Sequence, residues 1–135
     1  MIKKGRFAVW RNKEFELVSY QRQYYLQSEN CLDLENGFTK KNGNKTLYIR
    51  PVSVKELDNA YEIIPYAMIE GYRFAMEGYN EVTGQVTLVT NNPFVKDKIA
   101  VRPYGKFEYI IEVSLDTIQV EEDRIPILGF ETLYF

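Results

Sequence analysis

Val52-Ser53-Val54-Lys55-Glu56-Leu57-Asp58-Asn59-Ala60-Tyr61-Glu62-Ile63-Ile64-Pro65 decides whether this chain is all sheet or carries a helix. Ser53 and Glu56 stand at capping-box spacing, and Val52 and Leu57 occupy the two positions of a hydrophobic staple. Leu57, Ala60, Tyr61 and Ile64 then recur at helical spacing, while Lys55, Asp58, Asn59 and Glu62 fall on the other face. Pro65 ends the run, because the residue before a proline is driven out of the α region. The spacing therefore predicts an amphipathic helix over 53–64 that covers a sheet.

Outward from this segment the chain reads as strands and turns. On the N-terminal side, Gly5 to Arg11, Glu14 to Tyr20 and Arg22 to Ser28 are rich in β-branched and aromatic residues. Asn42-Gly43, between Gly37–Lys41 and Asn44–Arg50, suits a type I′ hairpin turn, since both central residues need positive φ. A two-residue loop there pairs Phe38 with Leu47 and Lys40 with Lys45. The first hairpin admits two registers. A two- or four-residue loop puts Trp10, Phe15 and Leu17 on one face; a three-residue loop aligns Phe7, Val9, Phe15 and Leu17 and turns Trp10 outward.

On the C-terminal side, Tyr66–Glu70 and Tyr72–Tyr79 meet at Gly71, and Gln85–Asn91 follows the turn Asn80–Gly84. Asn92-Pro93 starts a short helical turn. Lys106–Val113 alternates, with Phe107, Tyr109, Ile111 and Val113 on one side. A terminal strand is expected over Ile125–Phe135. Together these elements predict an α+β fold: a mostly antiparallel, strongly twisted sheet or partly closed small barrel, with the helix at about 53–64 packed on it. At 135 residues one domain spanning 1–135 is expected, composed of a basic β-rich half (1–50), the helix (51–64) and an acidic β-rich half (65–135).

Composition narrows the chemistry. The chain has no histidine and one cysteine, so no Ser-His-Asp or Cys-His constellation can be assembled from it. Zinc needs several Cys and His ligands. Asp33-Leu34-Glu35-Asn36-Gly37 fails the calcium-loop pattern, with glycine at the fifth position and no Glu at the twelfth, and reads as a turn. Glu108 and Glu112 share a strand face, an ordinary arrangement on an exposed strand rather than a catalytic pair. No catalytic residue, metal or cofactor is expected. A single cysteine, which cannot form an internal disulfide, points to a reducing compartment, and the acids that flank Cys31 argue against a reactive thiol. The apolar run Phe7–Trp10 is too short for a signal core, and Val82–Val95, the longest uncharged stretch, is too short and polar for a membrane span. A soluble cytoplasmic protein is the expectation.

The net charge of −2 conceals a split. Residues 1–50 carry ten basic and five acidic side chains, a net of +5, and residues 51–135 carry seven and fourteen, a net of −7. Such asymmetry signals an interaction surface, unless the halves interleave in space. Two readings follow. Glu70, Glu77, Glu81 and the run Glu121-Glu122-Asp123 can receive a basic protein, and Tyr24, Tyr25, Tyr66 and Tyr79 can supply exposed rings for such an interface. The leading expectation is thus a non-enzymatic protein-binding module, most concretely an immunity-type inhibitor that neutralises a basic bacterial toxin domain. The alternative is a nucleic-acid-binding barrel that uses Trp10, Arg11, Lys13, Arg22, Lys40 and Lys45, cations along a backbone with rings for stacking, although the sequence pI of about 5.3 opposes it. A small-ligand-binding protein, or a hydrolase using carboxylates alone, is a further alternative.

Overall fold

A computed structural model describes residues 2–43 and 45–131. These contain eleven strands: β1 (Gly5–Trp10), β2 (Lys13–Tyr20), β3 (Gln23–Ser28), β4 (Thr39–Lys41), β5 (Leu47–Val52), β6 (Asn59–Ile69), β7 (Tyr72–Asn80), β8 (Gln85–Thr90), β9 (Arg102–Pro103), β10 (Tyr109–Ser114) and β11 (Val120–Pro126). Helical structure among the described residues is confined to the 3-10 segments Cys31–Asn36, Val54–Glu56, Pro93–Asp97 and Leu115–Thr117. The protein is mostly antiparallel sheet, and the sheet is not closed. No helix among the described residues is long and apolar enough to cross a membrane.

The amphipathic helix expected over 53–64 is not formed. The capping signal acts for one turn only: the Ser53 N–H donates to Glu56 Oε2 at 3.2 Å, and Arg50 pairs with the same carboxylate. Asp58 N–H then donates to Val9 O at 2.8 Å, and Asn59 onward enters the longest strand. The same Tyr, Ile and Ala residues that trace a helical face also suit a pleated surface, and pairing with β1 decides between them. Its register is Gly5↔Ile63 through Val9↔Asn59. Pro65, which has no N–H to donate, lies just beyond that ladder.

The chain divides into two compact units, one comprising Gly5–Ile63 and the segment from Arg124 onward, the other the chain up to Lys4 with Ile64–Asp123. In the first, the strand order is β4-β5-β3-β2-β1-β6. Its β1–β2 loop is the two-residue one, with Trp10 paired to Lys13. Arg11 and Asn12 take φ 52° and 64°, the geometry of a type I′ turn, whose twist matches that of the flanking strands. This places Trp10 in the core. Its ring centroid is 6.1 Å from that of Phe15 and 6.1 Å from that of Phe38, among Leu17, Leu26 and Val52.

The β4–β5 hairpin exists, but not in the register that Asn42-Gly43 predicts. Lys40 pairs with Tyr48 and Lys41 with Leu47, so β4 ends at Lys41, β5 begins at Leu47, and Gly43 is not at positive φ. Phe38 is buried as expected, whereas Leu47 faces away from the core and remains partly exposed. A shift by an odd number of residues reverses which face each side chain takes.

The second unit orders its strands β6-β7-β8-β10-β9, with a core of Ala67, Phe74, Met76, Val86, Leu88 and Val95. Tyr109, Ile111 and Val113 pack on that core, as their alternation predicts. Phe107 does not. It lies in the loop before β10, exposed, at φ 65°. Asn92 caps the 3-10 turn Pro93–Asp97 by accepting from Phe94 N–H at 3.0 Å. The final strand begins at Val120 and ends at Pro126, earlier than expected; Leu128 and Gly129 turn at positive φ, and positions 132–135 lie outside the described residues.

Candidate protein-binding face

The most acidic groove belongs to the second unit. Ala75 and Val89 are cross-strand partners on β7 and β8 and form its floor. Because Phe74 and Met76 point to the core, alternation turns Arg73 and Ala75 to the opposite face. Between Met76 and Gly78 the β7–β8 register shifts, so Glu77 is the extra residue of a bulge. Bulges re-aim side chains, and here the bulged residue lines the groove. Asn91, Asn92 and Glu108 line it as well, around a volume of about 450 Å³.

Arg73 also lines the groove and belongs to a compact charged cluster at its edge. The Arg73 guanidinium carbon lies 3.7 Å from the centroid of the Tyr66 ring, and Arg73 Nη2 is 2.6 Å from Asp123 Oδ2. The Asp123 hydrogen bond pushes the Arg73 pKa upward. Desolvation, followed by the charge and hydrogen bond of Glu121, raises the Tyr66 phenol above 10.0. Arg73 is thus tied to Asp123 and Tyr66 to Glu121. Glu77 and Glu108, by contrast, have no ion-pair partner among the described residues. Glu112 faces Arg102 at 2.7 Å and is not brought together with Glu108 as a carboxylate pair. No group of three or more potential metal ligands occurs among the described residues.

Of the residues expected to bind a partner protein, the structure brings together Tyr66, Glu121 and Asp123, with Glu77 in the adjoining groove. Glu108 completes that groove and was not singled out for it. The signal was present: Gly78 follows Glu77 in a strand, and an isolated strand glycine marks a bulge. Tyr79 and Glu81 line a separate, smaller groove with Ile2 and Lys4. Glu70 occupies the β6–β7 turn at φ 51°. Glu122 is exposed on β11. Tyr24 is not an exposed ring: it packs against the first unit's core, because alternation with Tyr25 puts only one of the two on the solvent face. Tyr25 is half-buried on that face.

The cations of the nucleic-acid alternative are dispersed and largely engaged. Trp10 is 5% exposed, with the Arg11 and Arg50 guanidinium carbons each 4.4 Å from its ring centroid. No base can stack on a ring so enclosed. Lys13 Nζ meets the buried Asp33 at 3.1 Å, and Lys45 pairs with Glu29. Arg22 sits in the β2–β3 turn at φ 66°, and Lys40 is exposed on β4. Counted by unit, the charge split also shrinks. The first unit has ten basic and nine acidic side chains, a net of +1, and the second has seven and ten, a net of −3.

Residues 2–129 match the family described as Uncharacterised conserved protein UCP033725. The chain belongs to that family. Comparison with curated proteins and with solved structures returns no match. The family assignment covers both units and every groove residue named above.

Proposed function

We propose that this chain is a non-enzymatic, cytoplasmic protein-binding module that receives a basic partner on the acidic groove of its second unit. An immunity-type inhibitor that neutralises a bacterial toxin is the most concrete instance. The observation that carries this reading is the placement of Glu77 and Glu108 on an Ala75–Val89 floor, neither in an ion pair among the described residues, while Arg73, the cation that lines the same groove, is bound to Asp123. Carboxylates left unpaired on a groove wall attract a lysine or arginine from a partner and steer its approach. Tyr66, the cross-strand partner of Ala75 and held by Arg73, supplies the rigid aromatic contact that interfaces favour.

The test is affinity capture with the wild-type chain and with the double variant Glu77→Gln/Glu108→Gln as baits. A basic protein retained by the first and lost from the second supports the reading. Recovery of RNA alone, or equal retention by both baits, overturns it. The nucleic-acid alternative gains no support from a specific contact, since its single indole is in the core.

A further inference from the structure

We propose a second site, independent of the acidic groove: the solvent face of β2, β3 and β5 in the first unit binds a small organic anion with an aromatic or aliphatic body. Leu17, Leu26 and Tyr48 point to the core, so their neighbours Val18, Tyr25 and Ile49 project to the other face. An antiparallel sheet with one solvated face carries polar residues there. Here that face carries an apolar patch, Val18, Tyr25 and Ile49, bordered by Glu16, Gln23, Gln27 and Lys41. Val18 lies directly opposite Tyr25, and Tyr25 opposite Pro51. Tyr20, 67% exposed, stands at the end of the same row.

These side chains enclose a groove of about 530 Å³, larger than the acidic one. That volume falls within the range of about 300–1,000 Å³ typical of small-molecule sites, which are lined mainly by apolar and aromatic groups with a few polar ones that fix orientation. Gln27 and Lys41 supply the polar end. The Gln27 amide is already committed to Glu16 Oε2 at 3.1 Å. Lys41 is the only charged lining residue, and it has no ion-pair partner among the described residues. Charge complementarity therefore selects an anion: a carboxylate or sulfonate at Lys41, with the ligand's body against Tyr25, Val18 and Ile49.

An amide-resonance NMR titration of the full chain with 2-naphthoate, and with neutral 2-naphthylmethanol, tests this. The expected result is saturable shifts clustered at Val18, Tyr25, Lys41 and Ile49, with naphthoate roughly five- to tenfold tighter than the alcohol, as a charge-assisted contact would make it. Lys41→Gln should abolish that preference and Lys41→Arg should retain it, while Val18→Gln weakens both probes alike. Equal affinity of the two probes for the wild type, shifts dispersed over the sheet, or no saturation at the solubility limit would overturn the proposal. Because none of these residues lines the acidic groove, the two sites fail or stand separately.

Discussion

Lys13 Nζ lies 3.1 Å from Oδ1 of Asp33, whose side chain is 1% exposed. Burial opposes ionisation of Asp33. Hydrogen bonds from Ser28 at 2.5 Å, from Lys13, and from Asn36 at 3.2 Å outweigh it and hold the carboxyl below its ordinary value of 3.8. The Cys31–Asn36 segment is thereby anchored through a side chain that points inward.

A depressed folded-state pKa contributes stability that is present above the unfolded value and is lost as pH falls through the folded one. Asp33→Asn should therefore cost about 1–3 kcal/mol at pH 7, the range for breaking a buried charged hydrogen-bond set. The gap between wild type and variant should narrow progressively below about pH 4. Urea denaturation of both proteins across that range checks this. A gap that stays constant with pH would show that the carboxylate's charge is not what stabilises the segment.

Backbone geometry supplies a second prediction. Gln21 and Arg22 form the β2–β3 turn with φ 49° and 66°, although neither is a residue that favours positive φ. The left-handed region costs about 1–2 kcal/mol for an ordinary L-residue, and Asn-Gly is the preferred pair for this turn. Gln21→Asn/Arg22→Gly should stabilise the protein by about 1 kcal/mol and raise Tm by roughly 3–5 °C, part of the gain being offset by the entropy of the added glycine. Gly43→Ala should be nearly neutral because Gly43 is not at positive φ, whereas Gly37→Ala, at φ 88°, should cost about 1 kcal/mol. Thermal melts of the three variants distinguish these outcomes.

The contrast between those turns also explains what was legible in the sequence. Strand alternation located β1, β2, β3, β7, β8 and most of β10, because side-chain period is a local property. The position of the turn was legible at Glu70-Gly71, where a glycine marks it. Turn type was not legible at Gln21-Arg22, where tertiary pairing holds two unfavourable residues in place, nor at Asn42-Gly43, where the strongest local turn signal yields to the register that buries Phe38 and Tyr48. Residues 53–64 failed for the same reason on a larger scale. Their helical spacing is real, but β1 offers Asn59–Ile63 a ladder that an isolated helix of that length does not match. For the candidate site, acidic composition pointed to the unit that carries the acidic groove. The bulge that turns Glu77 into the groove that Glu108 also lines depends on how β7 and β8 align, which no single segment encodes.

Trp10 provides a spectroscopic check on the core. Enclosed by Phe15, Phe38, Arg11 and Arg50, the single indole should emit as a shielded ring and resist quenching by acrylamide. A labelled oligonucleotide should leave that emission unchanged. Trp10→Ala should cost about 3–5 kcal/mol, the range for removing a large core aromatic. Strong quenching by either agent would place the ring at the surface and restore the nucleic-acid alternative.

The groove carboxylates separate binding from folding. Glu77 and Glu108 are exposed and half-buried, respectively, and they make no ion pair among the described residues. Their replacement by glutamine should therefore change stability by no more than about 0.5 kcal/mol, as surface substitutions do. If the proposed function holds, association with a basic partner should depend instead on their charge. Glu77→Lys/Glu108→Lys should slow association more than it speeds dissociation, because rim charges act mainly on the encounter rate, and the wild-type rate should fall steeply as added salt shortens the screening length. Arg73 offers the opposing control. Arg73→Met removes the one cation that lines the groove, releases Asp123 and uncovers Tyr66, so it should raise the electrostatic part of the association rate while raising the Tyr66 phenol further, Arg73 being the one charge named here that lowers it. Stopped-flow association at several ionic strengths, with NMR titration of ring-labelled tyrosine, measures both effects. If the double lysine variant associates at the wild-type rate with the wild-type salt dependence, the acidic groove is not the docking surface.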